Sequence, residues 1–352
     1  MVISQTQTEQ QEIEGWLKEH WGEGAFSVSS PLLGFFSGTY TFYCFIVRHQ
    51  DEVYILKRYN PLEIDGVLAE KENYFLFGEH PLFPRLEAFV PKGTEPLAKM
   101  SYGILITYYP DEVSPLGLSL VEVLAIGLSL ATIFTYFVEK GRIYFDLRSD
   151  SLRLDSSGGL HLIDFTDLIS LNDLLSRSNP GLPVVDRAAK SIPPEGIAYQ
   201  RFYEDSLPDL AAWPAIRQVA HAIDPESYQV FSLSWLIAHL LVGTSPSQTE
   251  LRARINRSVQ PDDGAFTAAE RGRLLAFIAR MQERNAADRP ALSEVKELFW
   301  SLLASRLTPQ YLESNPGSMR AAKLLRTTSC REGDRILLDI HRILTPYWSI
   351  RP

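Results

Sequence analysis

Cysteine is nearly absent: Cys44 and Cys330 are the only two in 352 residues. That excludes both a disulfide framework and a cysteine-based zinc site, and it fits reducing, intracellular conditions. An excess of positive charge is missing as well. Lys and Arg total 34 against 43 Asp and Glu, leaving a net charge of −9 and a pI near 5.4. This balance argues against a general binder of nucleic acid or anionic membrane. Met1 to Glu14 is polar and Gln-rich, with no basic stretch leading into an apolar one, so no targeting signal is read there. Repeats and low-complexity tracts are lacking too. Long apolar runs are limited to Leu116–Val138, 23 residues in which Glu122 is the only charge. Its length could cross a bilayer. However, Ser119, Ser129, Thr132 and Thr135 interrupt it, and no Lys/Arg cluster or Trp belt flanks it. The expectation is the buried central helix of a large domain, in a cytoplasmic protein with no membrane span.

What is present is an ordinary core-forming composition, 45% apolar and 22% charged, enough for two or three folded units. Ser37–Arg48 and Val53–Arg58 are rich in β-branched and aromatic residues, and His49-Gln50-Asp51-Glu52 between them reads as a hairpin turn. A helix is predicted over Ile64–Phe77, with apolar Val67, Leu68, Phe75 and Leu76. Further strands are predicted around Arg85–Val90 and Gly103–Tyr108. After Tyr109-Pro110-Asp111 the character changes, and helices dominate beyond Tyr228. The pattern predicts an α+β chain in which a small β-rich lobe with one helix (27–110) precedes a larger, mainly helical lobe (111–303). A short amphipathic helix within Glu9–Trp21, with Ile13, Trp16, Leu17 and Trp21 on one face, is expected to pack on the small lobe as an N-terminal extension (1–26). The tail 304–352 is helical and locally basic. It reads as a docked extension, with a partner-binding or autoregulatory element as the alternative.

Some residues in this frame carry chemistry. Lys57 lies on an otherwise apolar strand and Glu72 on the following helix. As an ion pair they could hold a lysine against phosphate groups. Asp146 sits in a loop, followed by a short strand, the Asp155-Ser-Ser-Gly-Gly turn and a second strand that leads to Asp164. Two carboxylates then fall at neighbouring loop ends of a small β-ribbon. One can accept a proton or orient a nucleophile, and the other can hold a divalent metal.

The order of these elements resembles a eukaryotic-type protein kinase over about Val28 to Leu303. Tyr54-Ile-Leu-Lys57 resembles the V-A-I-K strand, and Glu72 falls where the partner glutamate of the first helix belongs. Tyr144-Phe145-Asp146 resembles H-R-D, Asp164-Phe165-Thr166 resembles D-F-G, and Pro193-Pro194-Glu195 resembles A-P-E. Asp288-Arg289-Pro290 is similar to the late D-R-P element, whose arginine pairs with the A-P-E glutamate. The resemblance implies a bilobal protein kinase-like fold with ATP bound between the lobes. It implies Mg²⁺ or Mn²⁺ held by Asp164 and Ser151, and a catalytic set of Asp146, Lys57 and Arg148. Nucleotide would be contacted by Gly34, Gly38, Lys57 and Glu72, with adenine read by backbone of the Leu105–Tyr108 hinge, chiefly Ile106 and Tyr108. The implied activity is ATP-dependent phosphotransfer to a protein hydroxyl on a protein substrate or partner; Asp146-Leu-Arg148-Ser is compatible with Ser/Thr or Tyr specificity, and base rates favour Ser/Thr.

The chain departs from the family pattern at several positions. The glycine loop is reduced to Gly34-Phe-Phe-Ser-Gly38, and Ser151 replaces the asparagine that ligates a second metal. Phe145 and Tyr144 replace Arg and His of H-R-D. Thr166 replaces the glycine of D-F-G, and Gln229 replaces the aspartate that anchors the catalytic loop. These changes keep open the alternative of a pseudokinase, a nucleotide-binding or scaffolding module without catalysis.

Overall fold

The structure is a computed structural model. It describes residues 2–22, 26–29, 41–59, 64–90, 103–114, 117–165, 168–170, 192–198, 218, 220–243, 247–257, 266–328 and 334–348. The secondary structure is mixed α+β with antiparallel sheets, and the chain forms two compact units, one built on Met1–Pro110 and the other on the chain from Asp111.

The smaller unit is a five-stranded antiparallel sheet of β1 (Phe26–Val28), β2 (Thr41–His49), β3 (Glu52–Tyr59), β4 (Leu86–Val90) and β5 (Gly103–Thr107), in the order β1-β2-β3-β5-β4. The β2–β3 hairpin closes between His49 and Glu52, leaving a two-residue turn in which Gln50 takes a φ of +55°. Side chains alternate across β3 as the strand period demands. Tyr54 and Leu56 join Phe45, Val47 and Leu105 in one core, which α1 (Val2–Trp21) covers with Ile13, Leu17, Trp16 and Trp21. The amphipathic face expected at the N-terminus therefore does pack on this sheet. Trp21 stacks on His49 with centroids 4.3 Å apart. The opposite face, which carries Lys57, meets α2 (Ile64–Phe77).

Helix α2 is turned differently from the sequence expectation. Its buried stripe is Glu70, Asn73, Tyr74 and Phe77, an i, i+3, i+4, i+7 set. Glu72, expected to face the sheet, lies outside this stripe, and Leu68, Phe75 and Leu76 are exposed, Phe75 at 69%. Lys71 lies 3.9 Å from the centroid of the Phe89 ring, a cation–π contact that helps hold this register.

In the larger unit, α3 (Leu120–Glu139) is the central helix. It is long and apolar enough to span a membrane, yet 83% of its most apolar window is buried inside the protein. Its polar residues each have a local use. Ser119 caps the first turn in a reciprocal box with Glu122, Thr132 and Thr135 donate to carbonyls four residues back, and Ser129 bonds Thr328 at 2.8 Å. Around it pack α4 (Pro225–Val242), α7 (Leu292–Leu303) and α9 (Pro316–Leu324), with α5 (Gln248–Arg257) and α6 (Ala268–Met281) beyond α4. Gly127 allows the close approach of α7: a Cβ there would lie 2.7 Å from the Phe299 ring. Two small ladders complete the unit. One joins β6 (Asp111–Glu112), β8 (Leu152–Leu154) and β9 (Leu160–Leu162); the other pairs β7 (Arg142–Tyr144) with β10 (Leu168–Ser170). The C-terminal extension, from α8 (Pro309–Ser314) to α10 (Arg335–Trp348), docks on this unit through Arg320–Glu122, Arg326–Asp155 and Ser129–Thr328.

Candidate functional site

The smaller unit places Lys57 on β3 with its Nζ 3.0 Å from Glu70 Oε1, and both side chains are buried, Glu70 completely. Glu72, the partner expected from the sequence, lies on the exposed side of α2. The correction is geometric. Two positions along a helix turn the side chain about 200°, so only one of the two glutamates can face the sheet. Glu70 sits four residues before Tyr74 and seven before Phe77, on the face the aromatics bury.

The hinge expectation also changes. Ile106 lies on β5 between β3 and β4, in register with Ile55 on one side and Leu86 on the other. Its backbone groups are therefore held in the ladder. The Tyr108 N–H donates to Val53 O at 2.9 Å. The Ile106 backbone and the Tyr108 N–H are thus engaged within the sheet. Gly34 and Gly38 lie outside the described residues, as does Thr166.

Within the larger unit, Asp146, Ser151 and Asp164 are assembled by backbone pairing. Leu152 pairs with Leu162, and the Ile163 N–H donates to Ser151 O at 2.9 Å, which sets Ser151 beside the residue preceding Asp164. Tyr144, two residues before Asp146, pairs with Leu168, four residues after Asp164. The two ladders thus bring all three positions to one pair of ribbon ends. Asp146 is only 7% exposed. Arg148 Nε lies 3.5 Å from Asp146 Oδ2 and 3.4 Å from Asp150 Oδ1, bridging two carboxylates of the same loop.

The substituted positions of the loop are built into the core. Tyr144 stacks on Phe137, and Phe145 lies against Tyr228, whose hydroxyl donates to Phe145 O at 2.7 Å. Gln229 Nε2 donates to Tyr144 O at 3.0 Å. The Gln229 amide thus ties the loop to α4 by donating to a carbonyl. These aromatic and amide contacts were absent from the sequence reading; the signal was the adjacency of Tyr228 and Gln229 on one apolar helix.

Further along, Arg289 reaches back across 94 residues to Glu195 with a two-pronged bond, 2.5 and 3.1 Å, and donates also to Ser227 O, Glu283 O and Arg284 O. The arginine of the D-R-P-like element and the glutamate of the A-P-E-like element do meet. Asp155, at the turn of the β8–β9 hairpin, accepts from Ser157, the Gly159 N–H, Arg326 and His161. Burial alone would raise its pKa, but the bonds from His161, Ser157 and Gly159 hold it well below the usual carboxylate range.

As oxygen donors, the Asp164 carboxylate and the Ser151 hydroxyl suit a hard cation such as Mg²⁺, which takes one or two carboxylates with the remainder from phosphate and water. Among the described residues no cluster of three or more His, Cys, Asp or Glu forms a self-sufficient metal cage. Compared with known proteins, the chain matches no family model and no curated sequence.

Proposed function

We propose that the chain is a divergent protein kinase-like phosphotransferase, of bilobal architecture, that uses ATP and Mg²⁺ to phosphorylate a protein hydroxyl. The observation that carries this reading is the buried Lys57–Glu70 pair. Desolvating two charges costs several kcal/mol each, and apolar residues of the same volume often serve stability better. A lysine held in this way is instead preorganised for an anion, and phosphate groups are the ligand the surrounding sequence order implies. Asp164 is assigned to the metal, with Ser151 as a weaker donor. Mg²⁺, when bound, neutralises charge on the phosphates. Asp146 is assigned to orient the acceptor hydroxyl and accept its proton. Arg148 holds the Asp146 carboxylate and offers positive charge to the transferred group. Bidentate bonding of Arg289 to Glu195 supports the fold assignment, because two distant elements of the family pattern are tied by the interaction the resemblance implies.

A second reading, a pseudokinase that binds nucleotide without transferring phosphate, is favoured by Ser151, whose short hydroxyl stands where an amide oxygen ligates the second metal. A thermal-shift series with ATP, with and without Mg²⁺, paired with γ-phosphate transfer to a generic protein substrate, separates the two. Binding with transfer lost in Asp146→Ala supports the enzyme; binding without transfer supports the second reading; absence of nucleotide binding refutes both.

A further inference from the structure

The C-terminal extension and the core of the larger unit together line a half-open cavity of about 300 Å³, within the size range of small-molecule sites. Its walls are apolar where Val113, Ile126 and Leu324 line it. Four charged side chains also line it: Glu112, Glu122, Arg320 and Lys323. Three of these are matched. Glu112 pairs with Arg153 at 3.1 Å, and Arg320 grips Glu122 with two bonds of 2.7 and 3.0 Å. Lys323 makes no ion pair among the described residues. Its aliphatic stem lies across Gly158 at the β8–β9 turn, where an added Cβ would stand 3.3 Å from Lys323 Cδ and where φ is +83°. The glycine therefore both makes the turn and leaves space for the lysine. The cavity is separate from the candidate catalytic residues: Ser151 and Asp164 flank the far ends of the same hairpin from Gly158.

We propose that this cavity binds a small monoanionic amphiphile, a carboxylate on an apolar body of about ten non-hydrogen atoms. Charge decides the sign of the head group. With both carboxylates already held by arginines, the remaining lining charge is an ammonium, and an anion brought to it gains a charge-assisted hydrogen bond beside low-dielectric walls. The apolar body leaves water for the Val113, Ile126 and Leu324 side. Because one wall belongs to the hairpin turn and another to α9, a bound ligand favours the docked state of the extension over any released state.

The test uses the full chain and the series hexanoate, octanoate and decanoate, titrated by calorimetry, with octan-1-ol as the uncharged comparator. Saturable one-to-one binding of at least one carboxylate is expected, with octan-1-ol at least about tenfold weaker. Lys323→Met keeps the stem on Gly158 and removes the charge, so it should weaken carboxylate binding about tenfold or more while leaving octan-1-ol unchanged. Leu118→Trp, from the loop lining the cavity, should abolish both and serves as the test if Lys323→Met does not fold. Absence of saturable binding for all three acids, or carboxylate affinity unchanged in either variant, overturns the proposal.

Discussion

Replacing Glu70 with Gln tests the interior of the smaller unit at its most sensitive point. Glu70 is wholly buried, and Lys57, 3.0 Å away, is nearly so. Breaking a buried pair from one side costs about 3–5 kcal/mol. Gln retains an acceptor oxygen of nearly the same shape, so the lower end, about 3 kcal/mol, applies. With a urea dependence near 2 kcal/mol/M, the midpoint should fall by about 1.5 M. The two units need not unfold together, so hydrogen exchange of β2 and β3 peptides, read by mass spectrometry, should localise the loss to this sheet. Glu72→Gln, on the exposed side of the same helix, should change stability by less than about 0.5 kcal/mol. The double variant Lys57→Met with Glu70→Gln removes both charges and should recover part of the loss, since apolar replacement of the whole pair is far less costly than orphaning one member. A silent Glu70→Gln beside a destabilising Glu72→Gln would refute the pairing and return the role to Glu72.

Arg289→Lys cannot reproduce the fork on Glu195 together with bonds to three carbonyls, and should destabilise the larger unit by about 3 kcal/mol in chemical denaturation. Gly127→Ala should lower stability by about 1–2 kcal/mol despite alanine's better helix propensity, because its Cβ meets the Phe299 ring; Phe299→Leu should restore most of the loss. Arg306 holds the Glu270 carboxyl down to about 2, against an ordinary value of 4.5. Its contribution, about 1 kcal/mol at this partly exposed site, is complete above pH 4.5 and lost as pH falls towards 2. Wild type and Glu270→Gln should therefore differ in thermal midpoint at pH 7 and converge as the pH reaches about 2. Under the kinase-like function proposed above, Phe145 stands where the resemblance places an arginine that binds a phosphorylated residue, and its ring is packed against Tyr228. Phosphatase treatment should therefore barely change any transfer activity, and a large loss in a γ-phosphate assay would overturn this.

Much of this architecture was legible in the sequence because local signals agreed. The β2–β3 hairpin was marked by two β-branched and aromatic runs around a short polar turn. The packed N-terminal helix was marked by Ile13, Trp16, Leu17 and Trp21 at helical spacing. For Leu116–Val138, the interrupting hydroxyls were the telling residues, and in the structure each has a cap, a carbonyl or Thr328 to bond. Arg289 and Glu195 could be named as a pair only through motif order, since nothing local in either segment indicates a contact 94 residues away.

What escaped the sequence was the choice between equivalent faces. Helix α2 carries apolar residues on two sides: Tyr74 and Phe77 on one, Leu68, Phe75 and Leu76 on the other. Periodicity alone does not say which side meets a sheet. The decision rests on a tertiary fact, that Lys57 occupies the facing strand and needs a carboxylate opposite it. Once Glu70 is inside, Tyr74 and Phe77 follow by helical geometry, and Phe75 is turned to solvent. The extent of the β5 ladder escaped for a related reason. Hydrophobicity shows that 103–107 is a buried strand, but the outer limit of its ladder depends on where the neighbours β3 and β4 end. Val53 O lies far enough out to take the Tyr108 N–H, so that donor is held by the sheet. In both cases the sequence specified the element, and the partner strand specified which of its atoms remain for chemistry.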